Sequence, residues 1–318
     1  MKKLFSLLLV SMLTCSMAWA NYSLTVYKGT STPETMDVAD KAAWEAVLVN
    51  YPNAVAIIDG NVKANETFAK STKNIIAHYY GTIPDSQVKY ESYSCPNLVL
   101  VDLCNFATSN GVVDYDKAAA TAFYSPVDFK ATTGSYSRSL RGDFNSVCVP
   151  FEIDRSDFGT NEVLSYNCYV ENENNAYFTY TDVNVSPGVA VILDLSAAKD
   201  WTVTFNKTKI KGTPVAGTAF AGVFVPTNYA GAYSVNTSLE GKFSPLSGNL
   251  YPFRACFSLS GDINVPQAAP RLVIMNADEA TALDEANAAT KAEKLLVNGQ
   301  ILLRKNGQLF DINGKMMK

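Results

Sequence analysis

The sequence predicts a mainly β fold, in which an antiparallel β-sandwich-like domain follows a small α/β or solenoid-like region. Three observations favour this fold class. Short apolar runs separated by Gly and Pro recur between residues 125 and 276, as is typical of sandwiches and barrels. Asn-Gly pairs, which favour tight hairpin turns, recur near the carboxyl terminus. Hydrophobic residues make up 47% of the chain and charged residues 18%, a composition that can supply a packed core.

The first 20 residues have the pattern of a cleavable signal peptide. Two lysines precede an apolar run over residues 4–13, and Ala18-Trp19-Ala20 has the small-x-small form of a cleavage site. The run is roughly half the ~20 apolar residues that a membrane-spanning helix needs. We therefore expect export to the extracellular space or outer cell surface, with Asn21 as the new amino terminus. The alternative is a lipoprotein acylated at Cys15, although the residues before it depart from the expected small-residue pattern.

Length and charge limit the organisation and the partners. The mature chain exceeds one average domain, so two domains and one long β-rich unit are both open. We divide it into a first region (21–124), a β-sandwich-like domain (125–276), a linker (277–292) and a tail (293–318). Loss of the two leader lysines makes the formal net charge more negative than −4. No basic cluster remains to follow a phosphate backbone, so we expect no nucleic-acid partner.

The first region begins with a predicted helix over residues 38–49. Its small apolar residues recur at helical spacing, and the predicted buried face consists of Ala39, Ala42, Ala43, Ala46 and Val47. Three apolar runs follow, at 54–58, 74–80 and 97–103. Their spacing of about 20 residues predicts stacked strands in a short solenoid-like unit.

The second region contains the clearest strand pattern of the chain. Trp201, Val203 and Phe205 alternate with polar residues, which predicts a strand with one buried and one wet face. Further strands are predicted at 147–153, 176–183, 189–193, 220–225, 253–259 and 271–275. In the tail, Asn-Gly pairs at 298–299, 306–307 and 313–314 separate strand-like runs. A small β-meander is therefore expected there, and such a meander is marginal without a partner surface.

Five cysteines follow the leader, so at least one is unpaired within a monomer. Cys148 and Cys256 lie in apolar strand-like runs, where a buried thiol packs as a small hydrophobe, and this interpretation is preferred over a disulfide. Cys95 and Cys104 flank the run at 98–103 and could pair only if the chain doubles back.

Several motifs carry a family resemblance. They are Phe123-Tyr124-Ser125-Pro126-Val127-Asp128-Phe129, Ser135-Tyr136-Ser137-Arg138, Val147-Cys148-Val149-Pro150-Phe151, the run at 187–193 and Phe253-Arg254-Ala255-Cys256-Phe257. They resemble a β-domain that recurs in secreted and cell-surface proteins of the Bacteroidetes, although Cys256 replaces the usual aromatic residue. In that family the domain often follows leucine-rich-type or other β-repeats, which agrees with the predicted solenoid. The tail is similar to type IX sorting domains but shorter, and the resemblance implies no catalytic residues.

Candidate catalytic residues are few. His78 is the only histidine, so a Ser-His-Asp or Cys-His system would have to use it, and a histidine-rich zinc site is excluded. Its apolar surroundings favour a structural role. A glycosidase needs only two suitably spaced carboxylates, for which the candidates are Asp114 with Asp116, or a cluster of Asp154, Asp157 and Glu162. Solvated turns explain both sets better, and a Ca²⁺ site is a further alternative for the second.

Two surface motifs have a structural and a functional interpretation. Arg141-Gly142-Asp143 is a short adhesion-like motif, but such a match arises often by chance, and a tight turn is the preferred explanation. Tyrosine pairs could form flat platforms for sugars or proteins, although half-buried packing in a sheet is the commoner role of strand tyrosines. The pairs are Tyr79-Tyr80, Tyr90 with Tyr93, and Tyr177 with Tyr180.

These observations predict a secreted or surface-attached protein with a structural or adhesive role and no catalytic, cofactor-binding or metal site. A surface glycan or a cell-surface protein is the expected partner. A carbohydrate-binding module is the first alternative, and a carboxylate-dependent glycan hydrolase is the second.

Overall fold

The computed structural model describes residues 23–37, 41–59, 68–78, 93–104, 115–158, 162–170, 174–216, 218–229, 231–235, 243–246, 248–258, 269–275, 293–297, 300–305 and 308–310. The described residues include helix α1 (Lys41–Asn50), a helical turn at 68–71, helix α2 (Tyr115–Ala120) and a 3₁₀ turn at Arg155–Asp157. The first eleven strands are β1 Ser23–Tyr27, β2 Glu34–Asp37, β3 Val55–Asp59, β4 Ile75–His78, β5 Tyr93–Val101, β6 Phe129–Leu140, β7 Asp143–Cys148, β8 Val163–Val170, β9 Asn175–Tyr180, β10 Ala190–Leu195 and β11 Lys199–Ile210. The others are β12 Phe220–Val223, β13 Thr227–Asn228, β14 Tyr233–Val235, β15 Phe243–Pro245, β16 Asn249–Leu250, β17 Arg254–Phe257, β18 Arg271–Met275, β19 Glu293–Val297, β20 Gln300–Lys305 and β21 Gln308–Phe310.

Three sheets build the body, and the predicted mainly β class is confirmed. The first sheet has seven strands in the order β11-β6-β5-β4-β3-β1-β2. The second has five, in the order β18-β9-β8-β10-β7, and the third has four, in the order β12-β17-β14-β15. Pairing is mostly antiparallel, but β3 with β4, β5 with β6, and β9 with β18 run parallel.

Helix α1 covers the outer face of the first sheet. Trp44 is its one buried residue, and the indole N–H donates to the Lys73 carbonyl at 3.1 Å. Trp44 packs with Leu24, Val26, Ala56 and five other buried residues of one hydrophobic cluster. The helix was predicted correctly, but its buried face was not. Ala42 and Ala46 are exposed, because a tryptophan removes far more apolar area from water than an alanine does.

The predicted solenoid is wrong, because β5 runs antiparallel to β4 and solenoid rungs must all run the same way. Two buried asparagines bridge the strands instead. The Asn74 backbone is left-handed, with φ 60°, a conformation that asparagine tolerates better than most residues. The Asn74 side chain pairs with both backbone groups of Val99 at 2.7 and 3.0 Å. Asn53 pairs in the same way with Val101 at 2.8 and 2.7 Å.

The largest core lies between the first and second sheets. The predicted face of β11 is confirmed, because Trp201, Val203 and Phe205 are buried while the residues between them are exposed. The Phe205 ring stacks on Phe151, with the centroids 4.6 Å apart. The same ring lies over Gly134, the residue opposite it on β6, where any Cβ would collide with it.

Strand β10 is buried on both sides, because a third layer covers the second sheet. Val191 and Leu193 face the first core, whereas Ile192 belongs to a second core. In that second core Phe178 of β9 meets Phe220 of β12 edge to face, with the centroids 5.2 Å apart. A continuous apolar run is the expected pattern for a strand enclosed in this way.

The predicted boundary at residue 124 does not separate two sheets. Strands β1–β5 and strands β6 and β11 share the first sheet, and one core contains residues from both sides of the boundary. The tail does form its own antiparallel sheet of β19, β20 and β21, as the Asn-Gly pairs predicted. The leader at 1–20 and the linker at 277–292 lie outside the described residues.

Candidate functional site

Three charged side chains meet in the interior where the sheets converge. Asp102 directly follows β5, Arg138 lies on β6, and Arg254 begins β17. Both arginine side chains are about nineteen-twentieths buried, and the Asp102 side chain has no exposed surface. These residues, here named the charged cluster, tie the first sheet to the third, because Arg254 and Asp102 are 152 residues apart in the chain.

Hydrogen bonds fix the geometry of the charged cluster. Arg254 donates to the Asp102 carboxylate, to the Pro252 carbonyl at 2.8 Å and to the Cys104 carbonyl at 3.0 Å. The other carboxylate oxygen accepts from the Cys104 N–H at 2.9 Å. Arg138 donates from one nitrogen to two backbone carbonyls, both at 3.2 Å. Each charged group is thereby held in one orientation, as a buried charge requires.

The charged cluster contains more positive than negative charge. Arg138 Nε lies 3.5 Å from the carboxylate that Arg254 already binds, and no residue in the described part of the chain accepts a hydrogen bond from it. Burial, and then the nearby Arg254, lower the pKa of Arg138 to about 10. Burial alone would lower the pKa of Arg254 as well, but Asp102, together with Tyr136 and Cys104, outweighs burial and the pKa of Arg254 is raised. Asp102 therefore compensates Arg254 better than it compensates Arg138.

A cleft of about 280 Å³ opens next to the charged cluster. We name it the arginine cleft. Its lining includes Arg138, Arg141, Ser234, Asn249, Tyr251 and Arg254. Its lining residues, all within the described ranges, include three arginines and no carboxylate. The volume lies just below the usual range for small-molecule sites, so one sugar ring or a side chain of a partner would fit.

The turn that carries Arg141 links the first sheet to the second. Asn145 braces this turn, accepting from the Arg141 N–H at 3.1 Å and donating to the Arg141 carbonyl at 2.8 Å. Asp143 has the left-handed φ of 68°. The predicted tight turn at 141–143 is therefore confirmed. Burial, and then the nearby charge of Arg254, lower the pKa of Arg141.

A second cavity, of about 510 Å³, lies along β12 and the segments beside it. Pro214, Val215, Val223, Phe224 and Tyr229 are among its lining residues. None of its lining residues is charged. It therefore has less chemistry for recognising a polar ligand than the arginine cleft.

The predicted candidate residues lie elsewhere, in structural roles. His78 ends β4, and its ring stacks on Tyr93 with the centroids 4.1 Å apart. Asp154 caps the 3₁₀ turn by accepting from the Ser156 N–H at 2.8 Å, a bond that lowers the pKa of Asp154. Glu162 pairs with Lys199 at 3.8 Å.

The remaining carboxylates predicted as candidates are Asp157, Asp114 and Asp116. Burial raises the pKa of Asp157, and this residue lies in the 3₁₀ turn itself. Asp114 and the side chain of Asp116 lie outside the described residues. Within the described ranges, no group of three or more His, Cys, Asp or Glu residues could hold a metal ion.

Tyr177 and Tyr180 do not form a platform. They are three positions apart along β9, so their side chains point to opposite faces of the sheet. Tyr180 donates to Asp194 at 2.6 Å, while Tyr177 accepts from Asn175 at 3.1 Å on the other face. Both rings are half-buried, as sheet packing predicts. Tyr79, Tyr80 and Tyr90 lie outside the described residues.

None of the five cysteines after the leader forms a disulfide. Cys148 is fully buried and lies 3.3 Å from the Gly188 carbonyl. Burial raises the pKa of Cys95 and that of Cys256, each to about 12. The prediction that Cys148 and Cys256 pack as small hydrophobes is confirmed.

Comparison with known proteins leaves the chain unassigned to a family. No family model matches it, no curated protein matches it, and no solved structure matches it. The resemblance to a Bacteroidetes β-domain therefore stays a prediction. In the described ranges, no helix is long and apolar enough to cross a membrane.

Sequence reasoning did not identify the charged cluster. A signal was present, since Arg254 interrupts the apolar run Pro252-Phe253-Arg254-Ala255-Cys256-Phe257 and Asp102 ends the run at 98–101. A charge within a buried strand is rarely left unpaired. Charged residues at such positions are therefore expected to pair with one another in the fold.

Proposed function

We propose that this is an exported, non-catalytic protein with a structural or adhesive role, and that the arginine cleft is its contact site. The observation that carries the proposal is the rigid lining of this cleft. Arg138 and Arg254 are buried and fixed by backbone carbonyls. A preorganised site of this kind loses little conformational entropy when a partner binds.

The location is proposed from the leader and from the resemblance to secreted Bacteroidetes proteins. N-terminal sequencing of the exported protein tests it, with Asn21 as the expected first residue. A lipid-modified Cys15 at the terminus would contradict signal-peptide cleavage after residue 20.

The adhesive role is tested by measuring binding of the full mature chain to a panel of immobilised neutral glycans, acidic glycans and extracellular proteins. Saturable binding to at least one surface is expected. A variant with a substitution among the residues that line the arginine cleft should lose this binding. If the chain binds none of these surfaces, or binds them equally well after the cleft is altered, the proposal is wrong.

Carbohydrate binding is the preferred form of this role, because the cleft combines ring and amide groups. Phe144 and Tyr251 line it and are half-buried, and Asn249 is exposed beside them. A sugar presents an apolar ring face and a rim of hydroxyl groups, so it matches an aromatic surface next to hydrogen-bonding side chains. A glycan array separates this role from protein binding.

A further inference from the structure

We infer that the second cavity, the one along β12, binds a small uncharged molecule that carries an amide group. This inference goes beyond the proposed adhesive role, because it concerns a different site from the arginine cleft. The cavity has a volume of about 510 Å³, within the usual range for small-molecule sites. All five residues at 221–225 line it. Because residues on one face of a strand alternate, a consecutive run of lining residues places the cavity along the strand edge.

The main chain of Gly222 faces this edge. Strand β12 ends the third sheet and, among the described strands, pairs with β17 alone. The Ser258 N–H donates to the Ala219 carbonyl at 2.7 Å, so every second residue from Ala219 onward points its main-chain groups toward β17. Gly222, opposite Ala255, lies between two such residues, and its N–H and C=O point away from β17. The Ala255 N–H agrees with this register, because it donates to the Ser146 hydroxyl at 3.2 Å and not to β12.

Gly222 is buried, yet its main-chain groups are unpaired. The other two carbonyls that point outward from this edge are satisfied. The Phe220 carbonyl accepts from the Thr218 hydroxyl at 2.8 Å, and the Phe224 carbonyl accepts from the Phe123 N–H at 2.8 Å. No residue in the described ranges pairs with the N–H or the C=O of Gly222. Since buried main-chain groups are almost always paired, a molecule in the cavity is the natural source of the missing partners.

The lining selects an uncharged amide. A donor and an acceptor side by side on a strand edge complement the N–H and C=O of an amide, as they complement those of a neighbouring strand. Ser258 adds a third polar group, because it lines the cavity, is 6% exposed and has a hydroxyl without a partner among the described residues. None of the described lining residues is charged, so a charged ligand would lose hydration without gaining an ion pair. Val215 and Phe224 supply apolar surface for the rest of the ligand.

Benzamide and its isosteres test the inference, with binding to the full mature chain followed by ligand-observed NMR. Benzamide should bind with a Kd of about 1 mM, as expected for so small a ligand. Benzoate and benzamidinium have nearly the same shape but carry a negative and a positive charge, so each should bind at least about tenfold more weakly. N,N-dimethylbenzamide keeps the carbonyl but cannot donate to Gly222, and it should also bind at least about tenfold more weakly.

Substitutions in the lining locate the site. Val215→Trp should fill the cavity and weaken benzamide binding at least about tenfold, since Val215 lines the cavity and is 41% exposed. Val183→Trp is the matched control, because Val183 is 63% exposed and does not line the cavity. Ser258→Ala removes only the unpaired hydroxyl and should weaken binding by a smaller factor. Asn249→Ala alters the arginine cleft instead, so benzamide binding should be unchanged.

Equal binding of benzamide, benzoate and benzamidinium would overturn the inference, because the cavity would then not discriminate by charge. So would unchanged benzamide binding by both the Val215 and the Ser258 variants, each first shown by thermal unfolding to be folded. If benzamide does not bind at about 10 mM, water satisfies Gly222 and the inference is wrong. None of these results affects the proposed adhesive role, which the panel of glycans and proteins tests separately.

Discussion

Asp102 should contribute more to stability than any exposed carboxylate of this protein. Its side chain is fully buried, binds Arg254 and lies 3.5 Å from Arg138. Asp102→Asn keeps the shape but removes the charge, which leaves two buried guanidinium groups without compensation. Breaking a buried ion pair in this way costs about 3–5 kcal/mol. That is a large part of the roughly 5–15 kcal/mol by which a typical domain is stable.

Urea unfolding followed by circular dichroism and by tryptophan fluorescence would measure this loss. Asp128→Asn is the matched control, since Asp128 pairs with Lys211 at 2.9 Å but is one-third exposed. Its loss should be about 1 kcal/mol or less, as for other surface pairs. A loss below about 1 kcal/mol for Asp102→Asn would refute the reasoning, because the arginines would then be compensated by other groups.

A double-mutant cycle tests whether the contact itself is responsible. Arg254→Gln alone should also destabilise the protein, since it leaves Asp102 paired only with the more distant Arg138. The double variant should lose less than the sum of the two single losses, with a coupling of about 0.5–3 kcal/mol for residues in one network. Additive losses would show that the two side chains act independently.

Three further predictions concern the core, the thiols and the tail. Phe205→Ala should cost about 3–5 kcal/mol in urea unfolding because it empties a well-packed site, whereas Thr204→Ala on the exposed face of the same strand should change stability by about 0.5 kcal/mol or less. A thiol reagent should modify half-exposed Cys168 in the native protein well before buried Cys95, because burial raises the pKa of the Cys95 thiol to about 12. Mass spectrometry of peptides would detect the order of modification, and equal rates at the two cysteines would contradict the prediction. Truncation after Ala292 should leave thermal unfolding nearly unchanged while altering where the protein accumulates, since β19, β20 and β21 form a sheet of their own. If the unfolding temperature instead fell by several degrees and the location stayed the same, the tail would be part of the main fold.

Strands with a regular apolar period could be predicted from the sequence. β18 occupies the predicted residues 271–275, and β11 and β10 were found by their apolar residues. Strand β6 was missed, although it is one of the longest. Its residues facing the core include Arg138, and Gly134 supplies no side chain, so the alternation is hidden.

The charged cluster could not be predicted from local spacing. Its members come from three separate segments, and the contact between Asp102 and Arg254 spans 152 residues. Only the sheet order brings these segments together, and a single sequence does not contain that order as a local pattern. The arginine cleft depends on the same long-range arrangement, although the turn at 141–143 was visible.

The order of strands in the first sheet has a consequence for how the chain folds. Strand β5 pairs with β6, and β6 pairs on its other side with β11. Strand β11 lies about a hundred residues further along the chain than β5. Until β11 has been synthesised, β6 cannot acquire the second of its two final neighbours. Sheets built from such distant partners fold slowly, because a long loop must close before the pairing stabilises it. Under the proposed export, we therefore expect the freshly made chain to stay unpaired long enough to pass through an export channel, with closure of the first sheet following on the far side.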